Sequence, residues 1–157
     1  MRDIEFRGKR TDNGEWVEGY YAHLHKTTYC VKEDCDAHPE NELHRMIFER
    51  EQDWGLPNYH LQVDVDPETV GQYTGLKDKN GTKIFDGDIV LVPYIDLIFK
   101  CTWDDTSLSE RAIVRYVDGM FYVEYIESGD KFTLSVMKGH MKIVGNIYDN
   151  PELLGGE

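Results

Sequence analysis

The stretch KDKNGTKIFDGDIVLV, from Lys77 to Val92, decides the fold class of this chain. It contains Asn80-Gly81, the residue pair that favours a two-residue hairpin turn and thereby fixes strand register. Gly87 then permits a bend, and Asp88 can accept backbone N–H hydrogen bonds there. The apolar run that ends at Pro93 is typical of a buried strand. The stretch therefore predicts a hairpin that leads into a core strand.

Further turns extend the β pattern on the C-terminal side. Asp118-Gly119 separates two apolar strands, and Ser128-Gly129 leads from the second of them into a third, Phe132–Val136. Met141–Ile147 is the last predicted strand. Regularly spaced short strands with such turns predict that Val70–Ile147 forms an antiparallel barrel or roll.

The N-terminal part begins with a second hairpin. Ile4 and Phe6 alternate with charged residues, Asp12-Asn13-Gly14 supplies a turn, and Trp16–Leu24 continues as a strand. The strictly alternating run Leu61–Asp66 predicts another strand.

One helix is expected, from about Glu40 to Trp54. Pro39 suits a helix start, Gly55 suits its end, and the apolar side chains of the segment fall near one helical face, with Phe48 beside them. These apolar residues are Leu43, Met46, Ile47 and Trp54. A strand through His44–Phe48 is the competing interpretation. In the helical reading, the apolar band is a candidate self-association surface.

Composition and charge limit the function classes. The chain has 157 residues, a net charge of −13, and aromatic side chains that a disordered protein would lack. The acidic charge disfavours nucleic-acid binding, for which Arg7-Gly8-Lys9-Arg10 is the short basic candidate. Three cysteines, the lack of an apolar leader and the lack of a membrane-spanning run predict a cytoplasmic protein with reduced thiols and no membrane contact.

Three stretches resemble the YopX family of phage and prophage proteins. The first is IEFRGK, residues 4–9, with GEWVEGY, residues 14–20. The second is TVGQYTGLKDKNG, residues 69–81, continuing to IFDGDIV, residues 84–90. The third is VGNIYDNPELL, residues 144–154. Segments 30–59 and 94–109 depart from the family pattern and look variable or inserted.

The resemblance implies a phage or prophage protein of unassigned activity that forms homo-oligomers. It also implies an SH3-like β roll in the C-terminal half, so the expected fold is mainly β with an N-terminal β-hairpin and one short helical segment. We expect a single domain over 1–157. Residues 1–62 hold the hairpin and the variable helical segment, and residues 63–157 hold the β roll.

Candidate metal ligands are irregularly spaced. Cys30, Cys35, His38 and His44 lack the close cysteine pair of a zinc knuckle, so we expect no metal and no other cofactor. His23 and His25 could add ligands if they share a strand face, although such pairs are usually surface residues.

The remaining polar residues favour architecture over chemistry. Asp64, Asp66 and Glu68 could bind a hard cation, but an alternating strand places such carboxylates in solvent. Cys101 has no adjacent base in the sequence, and His140 could serve as its base only by meeting it in space. No nucleophile-elbow, phosphate-loop or dinucleotide motif is present. No catalytic residue is therefore assigned.

The favoured function is a non-enzymatic module that binds protein, including its own copies. Two alternatives stay open: a nucleic-acid-binding small β-barrel, and an enzyme with its site at the 94–110 loop.

Overall fold

The computed structural model describes residues 4–28, 30–52, 54–93 and 109–155. The chain divides into two compact units, Met1–Gln72 and Tyr73–Glu157. Both are built mainly from antiparallel strands, so the prediction of a mainly β protein is confirmed. In the described part of the chain, no helix has the length and apolar character needed to cross a membrane.

The first unit is a sheet in the order β4-β3-β2-β1-β5. Its strands are β1 (Phe6–Lys9), β2 (Trp16–His25), β3 (Glu42–Arg50), β4 (Tyr59–Asp64) and the first residues of β5 (Gly71–Lys77). The predicted N-terminal hairpin is confirmed, because β1 and β2 pair from Lys9↔Trp16 to Phe6↔Gly19. The chain after β4 turns back to the end of β1, where Arg10 and Val65 form an antiparallel bridge.

The predicted helix over Glu40–Trp54 is wrong. Pro39 begins only a single 3₁₀ turn, Pro39–Asn41, and the chain then enters strand β3. The physical reason is pairing on both sides: β3 forms ladders with β2 and with β4, and this tertiary pairing overrides the local helical pattern. The described helix of this region is instead the short α1, Lys32–Asp36.

The strand separates the apolar residues that a helix would have gathered. In β3 the side chains of Leu43 and Ile47 lie on one face of the sheet, and those of Met46 and Phe48 lie on the other. Met46 is completely buried, as is nearly all of Val65. The expected helical self-association band therefore does not exist.

Close packing of the first unit depends on two glycines. A Cβ at Gly19 would overlap the carbonyl oxygen of Ile47 on the neighbouring strand and lie 3.1 Å from Phe48 Cβ. A Cβ at Gly8 would lie 3.3 Å from Val70 Cγ2 and 3.5 Å from Met46 Cε. Gly19 thus faces a rigid neighbour and Gly8 faces movable side chains.

The second unit contains the remainder of β5 and six further strands. These are β6 (Lys83–Phe85), β7 (Asp88–Pro93), β8 (Ser109–Val117), β9 (Met120–Tyr125), β10 (Lys131–Thr133) and β11 (Lys142–Asn146). β5 pairs with β6, and the other strands lie in the order β10-β9-β8-β7-β11, all antiparallel. Their core is one cluster of buried side chains: Ile84, Val90, Val92, Ala112, Val114, Val123, Tyr125, Leu134, Met137 and Met141.

The predicted turns at Asp118-Gly119 and Ser128-Gly129 are confirmed. Val117 pairs with Met120, so two residues make the first turn, both with positive φ (51° and 83°). That is the geometry that favours Asp-Gly in a hairpin.

The hairpin at Asn80-Gly81 is present, but its predicted two-residue turn is wrong. Lys77 pairs with Lys83, which leaves a five-residue loop. Asp78 organises this loop, since its carboxylate accepts hydrogen bonds from the backbone N–H of Asn80 (2.8 Å) and of Thr82 (2.9 Å). Gly81 supplies the positive φ of 86°.

The bend before β7 follows its prediction. Gly87 has φ of 84°, and the completely buried Asp88 accepts a 2.8 Å hydrogen bond from the backbone N–H of Phe85. The carboxylate is therefore part of the architecture, as the sequence indicated.

Candidate functional site

Two polar pairs face each other across strands β2 and β3. His23 lies opposite His44, and His25 lies opposite Glu42. Residues two apart on a strand share a face, so all four side chains belong to the same face of the sheet. This face is the one on which Met46 is buried, further along β3.

Three of the four side chains converge. Nε2 of His23 lies 3.5 Å from Oε2 of Glu42, and Nε2 of His44 lies 3.3 Å from the same oxygen. The two imidazole rings stack with centroids 4.5 Å apart and planes 13° apart. We call His23, Glu42 and His44 the His-Glu-His trio. Among the described residues, it is the one group of three or more histidine, cysteine, aspartate or glutamate side chains that lie close enough together to hold a metal ion.

Tyr21 holds the other side of His44. Its hydroxyl oxygen lies 2.5 Å from Nδ1 of His44, the ring nitrogen that does not contact Glu42. Burial, and to a smaller degree the negative charge of Glu42, raises the pKa of Tyr21 above its usual value. The tyrosine is therefore a neutral hydroxyl that can donate or accept a hydrogen bond to the ring.

The cysteine and histidine set considered from the sequence is not assembled by the described residues. Cys30 is free and exposed, and His38 contacts Glu40 at 2.7 Å. His44, by contrast, belongs to the trio. The side chains of Cys35 and Cys101 lie outside the described residues.

Glu42 was not a candidate from the sequence, whereas His23 was considered as an additional ligand for the set that contains His44. A helix over Glu40–Trp54 would have separated Glu42 and His44 from β2. The available signal was the two-residue spacing of His23/His25 and of Glu42/His44, which places each pair on one strand face.

The candidate cation carboxylates have structural partners. Asp64 forms a 2.8 Å ion pair with Arg45, and Asp66 accepts a 3.1 Å hydrogen bond from the backbone N–H of Glu68. Asp64 therefore supports the pairing of β4 with β3, and Asp66 supports the turn that follows β4.

The basic strip is engaged within the first unit. Arg7 and Lys9 lie over the ring of Trp16, at 4.7 Å and 5.5 Å from its centroid. Arg10 forms a 2.6 Å ion pair with Asp12, and this hydrogen bond lowers the pKa of Asp12.

The β3–β4 connection carries three exposed apolar side chains that lie close together in sequence. Trp54 is fully exposed, and Leu56 and Tyr59 are more than half exposed. Tyr59 also lines an open pocket, together with Arg50, Glu51, Gln52 and Leu61. We call Trp54, Leu56 and Tyr59 the aromatic tip.

The 94–110 loop, which is the expected site if the protein is an enzyme, lies largely outside the described residues. Only its last two residues, Ser109 and Glu110, are described, as the start of β8. Cys101 lies outside them as well.

Comparison with known proteins places the chain in a family. The family model described as YopX protein matches residues 5–155. Two crystal structures are similar over nearly the whole of each chain. Protein EF1440 from Enterococcus faecalis is 20% identical with a TM-score of 0.50, and the alignment covers 99% of this chain and 100% of that one.

The second similar structure is protein yopX from Bacillus subtilis, 18% identical with a TM-score of 0.50. It covers 98% of this chain and 97% of that one. At these identities the structures support the fold alone. No curated protein sequence matches this chain significantly. Because the family model covers almost the entire sequence, the chain belongs to the YopX family.

Proposed function

We propose that this protein is a phage or prophage accessory protein that acts without catalysis, by binding other copies of itself. The observation that carries the proposal is the exposure of the aromatic tip, in which Trp54 is fully exposed and Leu56 and Tyr59 are more than half exposed. Tryptophan and tyrosine are the side chains most often found as energetic anchors of protein interfaces. The family resemblance implies homo-oligomers, so we take a second copy of this chain as the molecule that covers this surface.

Burial of the tip supplies the driving force in this proposal. Removing apolar surface from water stabilises a contact by roughly 25 cal/mol per Å². The pocket that Tyr59 lines carries Arg50 and Glu51, so its rim offers charged groups of both signs to a second copy.

The net charge of −13 opposes association, because each copy repels the next. Salt screens this repulsion, so we expect the oligomer to be more stable at 0.5 M than at 0.05 M salt. The same charge is the reason that nucleic acid is not proposed as the partner.

The test is the mass of the full chain in solution at tens of micromolar, measured by light scattering. We expect an oligomer for the natural sequence and a shift toward the monomer for the double variant Trp54→Ser, Leu56→Ser. Val31→Ser and Val136→Ser are matched controls, because both valines are about half exposed and lie away from the tip in sequence.

Two results contradict the proposal. A monomeric mass for the natural protein removes self-association altogether. An oligomer whose mass the double variant leaves unchanged shows that the interface lies elsewhere.

A further inference from the structure

We propose that His23, Glu42 and His44 bind a divalent first-row transition metal ion of the zinc class. Two imidazole nitrogens and one carboxylate oxygen form a ligand set that suits ions of the zinc class better than calcium or magnesium. The trio offers this set from two neighbouring strands, with all three donor atoms within 4.8 Å of one another.

The distances fit a common centre. In a tetrahedral zinc site with bonds of about 2.0–2.1 Å, neighbouring donor atoms lie roughly 3.3 Å apart. The two imidazole nitrogens lie 3.5 Å and 3.3 Å from Oε2 of Glu42. An imidazole binds a metal ion in the plane of its ring, so the stacked rings of His23 and His44 must rotate apart for both nitrogens to contact one ion beside Oε2 of Glu42.

Tyr21 gives His44 the second contact that metal-binding histidines usually have. A carboxylate only accepts hydrogen bonds, so the neutral ring with its proton on Nε2 donates to Glu42, and its Nδ1 accepts from the Tyr21 hydroxyl. With a metal ion on Nε2, the ring carries its proton on Nδ1 and donates to the tyrosine oxygen. The hydrogen bond to Tyr21 is therefore kept with its direction reversed.

The site is open to solvent. The side chain of His23 is 44% exposed and that of Glu42 is 43% exposed, whereas that of His44 is 18% exposed. An ion here therefore keeps water in its remaining positions, as sites with three protein ligands do. His25, with its ring 5.2 Å from that of His23, borders the open side.

The experiment is a calorimetric titration of the untagged, full-length protein with Zn²⁺, and in parallel with Mg²⁺. A background with Cys30→Ser, Cys35→Ser and Cys101→Ser removes thiols that bind zinc on their own. We expect saturation at one Zn²⁺ per chain in this background and no response to Mg²⁺.

Exposed positions provide variants that should remain folded. His23→Gln and Glu42→Gln each lower the Zn²⁺ affinity, the first by about 100-fold. Tyr21→Phe lowers it by roughly 10-fold, within the range for a partner of a metal ligand. His60→Gln is the matched control, because His60 also contacts a glutamate, Glu49 at 3.3 Å, but has no second imidazole in a described metal-capable group. It should leave the affinity unchanged.

A nitrogen-15 spectrum of the imidazoles reads the site independently of affinity. Zn²⁺ should shift Nε2 of both His23 and His44 and move the ring proton of His44 from Nε2 to Nδ1. The proposal is overturned if Zn²⁺ binding disappears in the cysteine-free background, if no saturable binding occurs there, or if His23→Gln and His60→Gln have equal effects.

Discussion

His23 on β2 lies directly opposite His44 on β3, and their rings stack at 4.5 Å. The two residues are far apart in sequence, so this contact depends on the pairing register of β2 and β3. A slip of one residue would send one of the rings to the opposite face of the sheet. The features that fix this register therefore also fix the candidate metal site.

Gly19→Ala should strongly destabilise the protein. The added methyl group would overlap the backbone carbonyl of Ile47, which cannot move without disturbing the β2–β3 ladder. We expect a loss of about 3 kcal/mol in the free energy of unfolding, at the upper end of overpacking effects. Gly8→Ala, which meets only side-chain atoms, should cost about 1 kcal/mol by the same denaturant measurement. Equal losses would contradict the close approach at Gly19.

Met46→Ala should distinguish strand β3 from a helix. Met46 is completely buried, so its truncation should lower the free energy of unfolding by about 2–5 kcal/mol. Ile47, the next residue, points to the opposite and more open face, so Ile47→Ala should cost clearly less. A helix would place both residues within one broad apolar stripe, and similar losses would support that arrangement instead.

Asp78→Asn should loosen the β5–β6 loop. Oδ2 of Asp78 accepts hydrogen bonds from the Asn80 side-chain amide (3.2 Å) and from the backbone N–H of Ile143 (3.3 Å). An asparagine has only one side-chain oxygen. It therefore leaves either these two donors, or the two backbone N–H groups that contact Oδ1, without an acceptor. Leaving buried donors unsatisfied costs about 1–3 kcal/mol, which thermal and denaturant unfolding can measure.

The same carboxylate should make stability depend on acid. Burial by itself would raise the pKa of Asp78, but hydrogen bonds from the backbone N–H groups of Thr82, Asn80 and Ile143 outweigh it and lower the pKa below 3.8. A lowered pKa means that the folded state binds its proton less tightly than the unfolded state does. This contribution to stability is therefore complete above about pH 5 and is lost as the pH falls through the folded-state pKa. The acid-induced loss of stability should be smaller in Asp78→Asn, and an unchanged pH profile would contradict this assignment.

Gly119→Ala should weaken the β8–β9 hairpin by about 1–2 kcal/mol. Gly119 has φ of 83°, a conformation that costs an alanine roughly this amount. No atom lies within 4 Å of the added Cβ, so the loss would come from backbone strain and not from collision. Gly155→Ala is the control, because that residue has φ of −82° and should tolerate the change. Identical melting temperatures for the two variants would show that the turn is not under this constraint.

Local chemistry was sufficient to predict much of the fold. The Asp118-Gly119 pair specifies a two-residue turn because both residues accept positive φ, and the turn is found there. Gly87 and Asp88 likewise predicted a bend held by a carboxylate. Where a turn or a bend depends on residues adjacent in sequence, the sequence contains the necessary information.

The segment from Glu42 to Arg50 shows the opposite case. Its apolar residues satisfy a helical period and a strand period imperfectly, so local pattern alone favoured the wrong element. The two strands that flank β3 made the choice, because they supply hydrogen bonds along both of its edges. The loop after β5 was also decided by partners, since Ile143 on β11 donates to the carboxylate of Asp78.

The sequence by itself determined the mainly β class, the hairpins around Asp-Gly and Asn-Gly, and the family to which the chain belongs. These follow from short-range backbone preference and from motifs that are continuous in the chain. Only the tertiary structure decided that His23, Glu42 and His44 meet, and that Trp54 is exposed while Met46 is buried. The physical reason is that strand register joins residues across long sequence separations, and neither register nor burial is specified by any single stretch of the chain.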